Sequence, residues 1–326
     1  MNIGVFLPTG QDQWAPAGGA RDLIGFARRA EQLGFASLFV NDSLLTPRIE
    51  PLTMLAAVAP VTERIRLGTG ALLPVLRRPV QTAQTLASVD QLSGGRLTVA
   101  VGAAFPGHFG RPLHELSQVP WERRFARLDE TVALWRALWA GATEFHGEFH
   151  SFPDLPPATR PFRPQGPPIW LGGATPAALA RTGRRYDGWL PYPPDPADYA
   201  TGLAAVRQAA REAGRAQEAV TPALFVNVRI DEDLKAARRT MDAYVRSNYG
   251  LPLEEVEHIQ AIALGTPEQV AATLRRYTEA GARQVVARLG ALELKGQYEQ
   301  LERLADLVAP TAPFAPTPAL TRPASR

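Results

Sequence analysis

Residues 62–104 read TERIRLGTGALLPVLRRPVQTAQTLASVDQLSGGRLTVAVGAA, and the interpretation of the whole chain starts from this stretch. It contains two short runs, Ile65–Thr69 and Leu97–Val101, in which successive residues are apolar, as in strands that are covered on both faces. Between them, apolar side chains recur every three or four residues over 80–90, and a proline suits the first turn of that helix. The stretch therefore predicts a strand, a helix and a second strand parallel to the first.

The same unit repeats on both sides of this stretch. Six further apolar runs occur, at Ile3–Leu7, Ser37–Val40, Pro168–Leu171, Asp187–Leu190, Ala223–Ile230 and Gln284–Leu289. Strands that alternate with helices in a chain of 326 residues predict an α/β fold, the (β/α)8 TIM barrel. An open, doubly wound sheet is the alternative, but the dinucleotide fingerprint G-x-G-x-x-G follows none of the predicted strands.

Two segments depart from the alternation. Residues 143–167 form an insertion between helix 4 and strand 5, and polar and apolar residues alternate there around Gly147, which predicts a small hairpin. Residues 310–326 are rich in proline and show no apolar period, so they are expected to be a disordered tail. The expected organisation is a single barrel domain over 1–309, followed by this tail.

Composition excludes several classes of protein. The chain has no cysteine, which excludes disulfides, zinc–thiolate sites and cysteine nucleophiles. Its formal net charge of +3 is too small to indicate nucleic-acid binding. The first residues lack the pattern of a signal peptide, and no apolar stretch suits a membrane span, so a cytoplasmic protein is expected. His146 and His150 lie in the sequence HGEFH, where the glutamate is misplaced for the metal motif H-E-x-x-H. Alternation along the predicted strand puts both histidines on one exposed face, so no metal site is expected.

In such a barrel, reacting groups belong in the loops that follow the strands. Glycines stand at three of these strand ends, where they allow a close approach of the backbone to a ligand. After strand 5, Gly172–Thr175 leads into a helix predicted at Ala177–Thr182, and successive N–H groups at a helix N-terminus suit an anion. A plain tight turn that Thr175 caps is the alternative explanation of this loop.

Four pieces of the chain carry a family resemblance. They are IGVFLP with AEQLGFASLFVNDS (3–8 and 30–43), the stretch 62–104, PPIWLGGATPAALARTGRRYDGWLP (167–191) and LGTPEQVAATLRRYTEAGARQVVARL (264–289). In order and spacing they resemble the luciferase-like flavin-dependent oxidoreductases, which include bacterial luciferase, alkanesulfonate monooxygenase and deazaflavin-dependent reductases and dehydrogenases. The resemblance implies a (β/α)8 barrel with an insertion near strand 5, in agreement with the periodicity.

The resemblance also implies where a flavin would bind. The loop of Gly172, Gly173, Ala174 and Thr175 matches the family's flavin-phosphate site. Gly70 and Ala71 match a strand-3 bulge, where many relatives hold a cis peptide against the flavin ring, and Gly102 and Ala103 match the strand end that lines the flavin edge. The stretch DQLSGGR (90–96) matches too, but a structural role is expected for it, with Arg96 paired to Asp90 or to the last helix carbonyls.

One position departs from the family pattern. Many relatives end strand 2 with Asp-His, whereas this chain has Asp42 and Ser43. A hydroxyl does not exchange protons near pH 7 as an imidazole does. Asp42 with Ser43, or else His108 in the strand-4 loop, is therefore the predicted catalytic group.

The resulting hypothesis is a luciferase-like monooxygenase that uses reduced FMN and O2 on a small organic substrate, with a separate flavin reductase as partner. Hydride transfer with the deazaflavin coenzyme F420 is the first alternative. A flavin-binding protein without turnover and an unrelated barrel enzyme for a phosphorylated metabolite are the others. Phe105, Trp189, Tyr192 and Trp14 are candidates for substrate contact. A homodimer is expected from the resemblance and from the apolar helices over 51–61 and 79–92.

Overall fold

The structure is a computed structural model that describes residues 2–15, 18–105 and 110–308. Its main sheet has nine strands, of which eight pair side by side in parallel and close on themselves. In their order around the barrel they are β1 (Asn2–Phe6), β2 (Ser37–Val40), β3 (Arg66–Leu72), β4 (Leu97–Val101), β7 (Ile169–Leu171), β8 (Gly188–Trp189), β9 (Thr221–Ile230) and β11 (Gln284–Leu289). The ring closes where β1 pairs with β11, which confirms the predicted (β/α)8 TIM barrel.

Helices surround this barrel, and most of them begin with a residue suited to the first turn. Proline occupies the start of α2, α3, α6, α7 and α10, where its missing N–H leaves no helical hydrogen bond unmade. None of the described helices has the length and apolar character that a membrane crossing needs. The helices are α1 (Asp22–Gln32), α2 (Pro51–Val58), α3 (Pro79–Leu92), α4 (Arg111–Leu116), α5 (Arg124–Ala140), α6 (Pro176–Arg185), α7 (Pro196–Glu212), α8 (Leu234–Tyr249), α9 (Leu253–Glu257), α10 (Pro267–Glu279) and α11 (Leu294–Val308).

The sequence missed one strand of the sheet. β10 (Ile262–Gly265) pairs with the second half of β9, beyond the point at which the short β8 has ended. Its four residues alternate between buried and half-buried, so they lack the continuous apolar run by which the other strands were found. The predicted hairpin is present as β5 (Phe145–His146) and β6 (Ser151–Phe152), and the predicted tail at 310–326 lies outside the described residues.

Aromatic side chains fill the barrel, and glycines make room for them. Phe6, Phe39, Trp170 and Phe225 belong to one buried cluster inside the strands. A Cβ at Gly68 would lie 2.6 Å from the Phe39 ring. A Cβ at Gly188 would overlap the Trp170 indole in the same way. A closed barrel of this size needs small residues opposite large ones. The four aromatic rings, here called the aromatic floor, therefore fill the interior beneath the open end of the barrel, its mouth.

Arg96 joins the end of α3 to the start of the neighbouring strands. Its guanidinium donates to the carbonyl oxygens of Ser93 at 2.7 Å, Ile65 at 2.8 Å, Ala59 at 2.7 Å and Thr62 at 2.8 Å. It also donates to the Thr62 hydroxyl at 3.0 Å. The expected contact with carbonyls is therefore present, and it extends to residues before β3.

The alternative pairing of Arg96 with Asp90 is not observed. Asp90 is fully buried and accepts instead from the backbone N–H groups of Phe162 at 2.9 Å and Arg163 at 3.3 Å. Burial raises the pKa of Asp90, while these amides and the Arg163 charge oppose the shift. The acid thus anchors the insertion to α3, and the arginine anchors the strands.

Replacing Arg96 with alanine should lower the free energy of unfolding by about 2–4 kcal/mol, because several buried carbonyls lose a charged donor. Arg28→Ala is the control, since Arg28 is exposed on α1, and its effect should stay within about 0.5 kcal/mol. Urea denaturation followed by circular dichroism measures both. Equal effects of the two substitutions would contradict the structural role of Arg96.

Candidate functional site

The strand register decides which residues face the mouth of the barrel. Side chains alternate along a strand, so the residue two positions after an interior residue also faces inward. Trp170 is interior, which places Gly172 at the mouth, and Phe225 and Val286 likewise place Asn227 and Arg288 there. One side of the mouth therefore carries glycine and the other carries polar side chains.

The glycine side has no side chains where β4 and β7 end, and this half-buried backbone surface, defined by Gly102 and Gly172, is here called the glycine recess. A Cβ added at Gly102 would meet the Ala71 Cβ at 3.6 Å, and one at Gly172 would meet the Leu190 carbonyl oxygen at 3.5 Å. Both are ordinary contacts, so the protein itself does not require glycine at either position. A flat ligand that lies against these strands would require it.

The predicted bulge and cis peptide border this recess. The peptide bond between Gly70 and Ala71 is cis, and the pairing of β3 with β4 shifts register between Thr69 and Leu72. Gly70 differs from the recess glycines, because its Cβ would lie 2.7 Å from Phe6 Cζ. Ala103 contributes no side chain to the recess, since its methyl group is buried in the core between strands and helices.

The loop before α6 has the geometry of an anion site. Gly173 has a φ of +93°, and the Thr175 hydroxyl accepts from the Ala178 N–H at 3.3 Å as the helix cap. Within the described ranges, the N–H groups of Gly173 and Ala174 have no protein acceptor. The cap that the sequence offered as an alternative is thus present, and amides remain available for a ligand at the start of a ten-residue helix.

A pocket of about 380 Å³ continues from this loop into the space between α6 and α7. Its wall includes Gly173, Ala174, Tyr192, Asp198 and Thr201. The pocket offers room for groups that extend past an anion held by the loop.

Asp42 holds the loop after β3 and does not face the recess through any contact observed here. Its Oδ2 accepts from the Leu73 N–H at 3.0 Å and from Arg77 Nη2 at 3.0 Å, and Arg77 also pairs with Glu50 at 2.9 Å. Burial raises the pKa of Asp42, and the Arg77 charge opposes that shift. These contacts give the carboxylate a structural role, and proton transfer by Asp42 stays a prediction.

The other two predicted catalytic residues gain no support from contacts. Ser43 Oγ accepts from the Leu45 N–H at 3.2 Å in a local turn. His108 lies outside the described residues. Proton transfer by either of them stays a prediction.

Two of the predicted substrate residues meet at the mouth. The rings of Phe105 and Tyr192 stack with centroids 5.5 Å apart, and Tyr192 packs edge-on against Phe225 at 6.1 Å. Phe105 is 39% exposed, so this pair borders the opening. Trp14 is half-buried, and its Nε1 donates to the Thr9 carbonyl oxygen at 3.3 Å.

The prediction for Trp189 is wrong. Its side chain is completely buried, stacks on Tyr199 with centroids 5.0 Å apart, and donates from Nε1 to the Gly173 carbonyl oxygen at 2.8 Å. The reason is alternation, because Leu190 takes the inward position and Trp189 therefore faces the helices. The indole thus binds the loop Gly173–Thr175, here called the anion loop, from the helix side and does not contact a substrate.

The sequence reasoning missed the polar side of the mouth. Arg288 is 9% exposed, lies over the rings of Phe6 and Phe225, and donates from Nη1 to the Tyr249 hydroxyl at 2.8 Å. Asn227 is its register partner on β9 and is fully buried. A charged residue at an inward position of the otherwise apolar run QVVARL was the signal available in the sequence.

Comparison with known proteins agrees with this arrangement. The profile of the family described as luciferase-like monooxygenase matches residues 1–284. An F420-dependent glucose-6-phosphate dehydrogenase of Kribbella flavida is 32% identical over 315 residues, which cover 86% of this chain and 90% of the relative.

Two further relatives extend the comparison. A phthiodiolone/phenolphthiodiolone dimycocerosates ketoreductase of Mycobacterium tuberculosis is 36% identical over 203 residues, which cover 60% of this chain and about half of the relative. The crystal structure of monooxygenase RslO1 from Streptomyces bottropensis superposes with a TM-score of 0.76 at 25% identity, over 94% of this chain and 98% of that one. The family match reaches from β1 to the first residue of β11 and includes Gly102 and Gly172–Thr175. The chain therefore belongs to the luciferase-like monooxygenase family of oxidoreductases.

Proposed function

We propose that the chain is an oxidoreductase that binds a flavin-type cofactor with the ring in the glycine recess and the phosphate on the loop Gly173–Thr175. The observation that carries the proposal is the recess itself. Gly102 and Gly172 present bare backbone, although a Cβ at either would make only ordinary contacts. The next residues along the chain, Gly173 and Ala174, have N–H groups without a backbone acceptor within the described ranges. The shape suits a flat ring with an anionic tail.

The cofactor that we propose is the deazaflavin coenzyme F420, with hydride transfer as the reaction. The Kribbella flavida relative is F420-dependent by name and is similar over most of both chains. The pocket beyond the anion loop adds a physical argument, because FMN ends at its phosphate whereas F420 continues past it. When bound, the coenzyme would supply the hydride chemistry, and the protein would supply position and surroundings.

The roles of the protein groups follow from their places. The recess would hold one face of the ring against the strands, and the anion loop would fix the other end of the cofactor. The Phe105 and Tyr192 rings border the opening and would exclude water from the substrate beside the ring. Burial raises the pKa of Tyr192, so its hydroxyl would stay neutral beside the substrate.

A second candidate is the FMN-dependent monooxygenase expected from the sequence. The similarity to RslO1, a monooxygenase by name, favours it. In that case a separate reductase would supply reduced FMN. A binding protein without turnover would use the same recess and loop.

Titration of the purified protein with F420, FMN and their phosphate-free forms tests the cofactor. F420 should bind at least tenfold more tightly than FMN, since only F420 fills the pocket past the loop. Its phosphate-free form should bind about a hundredfold more weakly than F420, because the loss of two charge-assisted bonds costs about 3 kcal/mol. Tighter binding of FMN would favour the monooxygenase, and equal binding of forms with and without phosphate would contradict the anion loop.

Two glycine-to-alanine substitutions on neighbouring strands test the recess. Gly102→Ala adds a methyl group that makes only ordinary van der Waals contacts, so the free energy of unfolding should stay unchanged. Cofactor affinity should fall at least tenfold, about 1.4 kcal/mol. Gly68→Ala drives the same group into Phe39 and should lower the free energy of unfolding by about 1–3 kcal/mol. Thermal unfolding and cofactor titration measure the pair. Unchanged affinity in a folded Gly102→Ala protein would remove the recess as the ring site.

A further inference from the structure

We propose that the substrate is a small organic anion and that Arg48 and Arg288 bind its charged group at the side of the mouth opposite the glycine recess. The inference rests on the proposed function, since it places the substrate next to a cofactor in that recess. The chemical class is a carboxylate, phosphate or sulfonate attached to the carbon skeleton that is oxidised or reduced.

Arg288 is a buried charge without an acidic partner. Its guanidinium lies 5.0 Å from the centroid of the Phe6 ring and 5.3 Å from that of Phe225, which fixes it over the barrel floor. Its hydrogen-bond partner is the Tyr249 hydroxyl at 2.8 Å. No ion pair of Arg288 exists among the described residues. The floor therefore presents a positive charge upward into the mouth.

Arg48 reaches the same region from the loop after β2. Its backbone bridges to Gly10 in the loop after β1, and its guanidinium donates to the Thr46 hydroxyl. Its Nε is buried and has no partner within the described chain. The loop of Gly10 follows β1, and β1 pairs with β11, the strand that carries Arg288. Burial lowers the pKa of Arg48 and the charge of Arg288 lowers it further, while the charges of Tyr244, Asp12 and Asp42 oppose the shift.

The acids in the neighbourhood are occupied elsewhere. Asp12 contacts the Ser247 hydroxyl, and Asp42 pairs with Arg77. The residues outside the described ranges contain no aspartate or glutamate, so none of them offers a side-chain carboxylate either. Arg288 is buried and Arg48 is half-buried, and neither forms an ion pair among the described residues. Like charges that lose contact with water without an ion-pair partner are costly. An anion supplied by the substrate would remove that cost.

Neutral polar groups surround the pair and suit the rest of a polar substrate. Asn227, the register partner of Arg288, donates to Gln260 Oε1 at 2.9 Å, and its own Oδ1 is buried without a partner in the described chain. The Tyr244 hydroxyl accepts from Gln13 Nε2 at 3.2 Å close to Arg48. A free acceptor beside the Arg288 cation fits a substrate that carries both a hydroxyl and an anionic group.

The test measures thermal unfolding of the full chain with sodium sulfate or inorganic phosphate as the probe, against sodium chloride at equal ionic strength. At saturating probe, the wild-type melting temperature should rise by about 3 °C or more over chloride. Arg48→Gln and Arg288→Gln should each lose most of that rise. In chloride alone they should melt at or above the wild-type temperature, because each removes an uncompensated charge.

Three further variants complete the design. Arg181→Gln is the matched control, because Arg181 is a partly buried arginine that already pairs with Asp129 at 2.7 Å, and it should keep the full rise with sulfate. Arg288→Lys keeps the charge and should retain part of the rise even if Arg288→Gln folds poorly. Ala174→Asp puts a carboxylate in the anion loop, so it should abolish cofactor binding and leave the arginine-dependent rise intact.

The outcomes separate this inference from the proposed function. An arginine-dependent rise in a protein that binds no deazaflavin or flavin would retain the anion site and overturn the cofactor. A rise that is unchanged in Arg48→Gln and Arg288→Gln, or that disappears only in Ala174→Asp, would overturn the anion site. Cofactor affinity of the two arginine variants should remain within about threefold of wild type, because neither residue borders the recess.

Discussion

The side-chain alternation of a closed parallel barrel is the constraint on which the rest of this structure depends. Every second residue of each strand faces inward, and the interior has room for only a few large groups. The interior is filled by four aromatic side chains, those of Phe6, Phe39, Trp170 and Phe225. Glycines on the neighbouring strands leave space for these rings. The floor that results is rigid, so the groups one step above it are held in fixed places.

Those groups divide the mouth into two halves of different chemistry. The half at β4 and β7 ends in Gly102 and Gly172, whose missing side chains leave a surface that is flat and uncharged. The half at β9 and β11 ends in Asn227 and Arg288, which are neighbours in the sheet. A ring on one side and a polar, charged molecule on the other would meet above the aromatic floor.

The arginines at the two ends of the barrel strands serve either a structural purpose or, as we propose, ligand binding. Arg77 is neutralised by Asp42 and Glu50, and the three together fix the loop that follows the cis peptide. Arg96 is satisfied by carbonyl oxygens and fixes the other end of the same strand. Arg48 and Arg288 have no such compensation, and this difference separates a structural charge from one that awaits a ligand.

The sequence by itself determined the barrel, because eight apolar runs separated by helical spacing have few other ways to bury both faces. It also determined the glycine turn and the capped helix after it, since both are local signals, and the hairpin, which depends on alternation within ten residues. Only the tertiary structure decided the roles of Asp42, Trp189 and Arg288. The sequence pattern of a carboxylate after a strand is the same whether the side chain faces a ligand or an arginine from the next loop. A one-residue difference in register decides whether an indole faces the mouth or the helices. Local pattern fixes which elements form, whereas the direction and the partners of a side chain depend on residues that the fold brings from far along the chain.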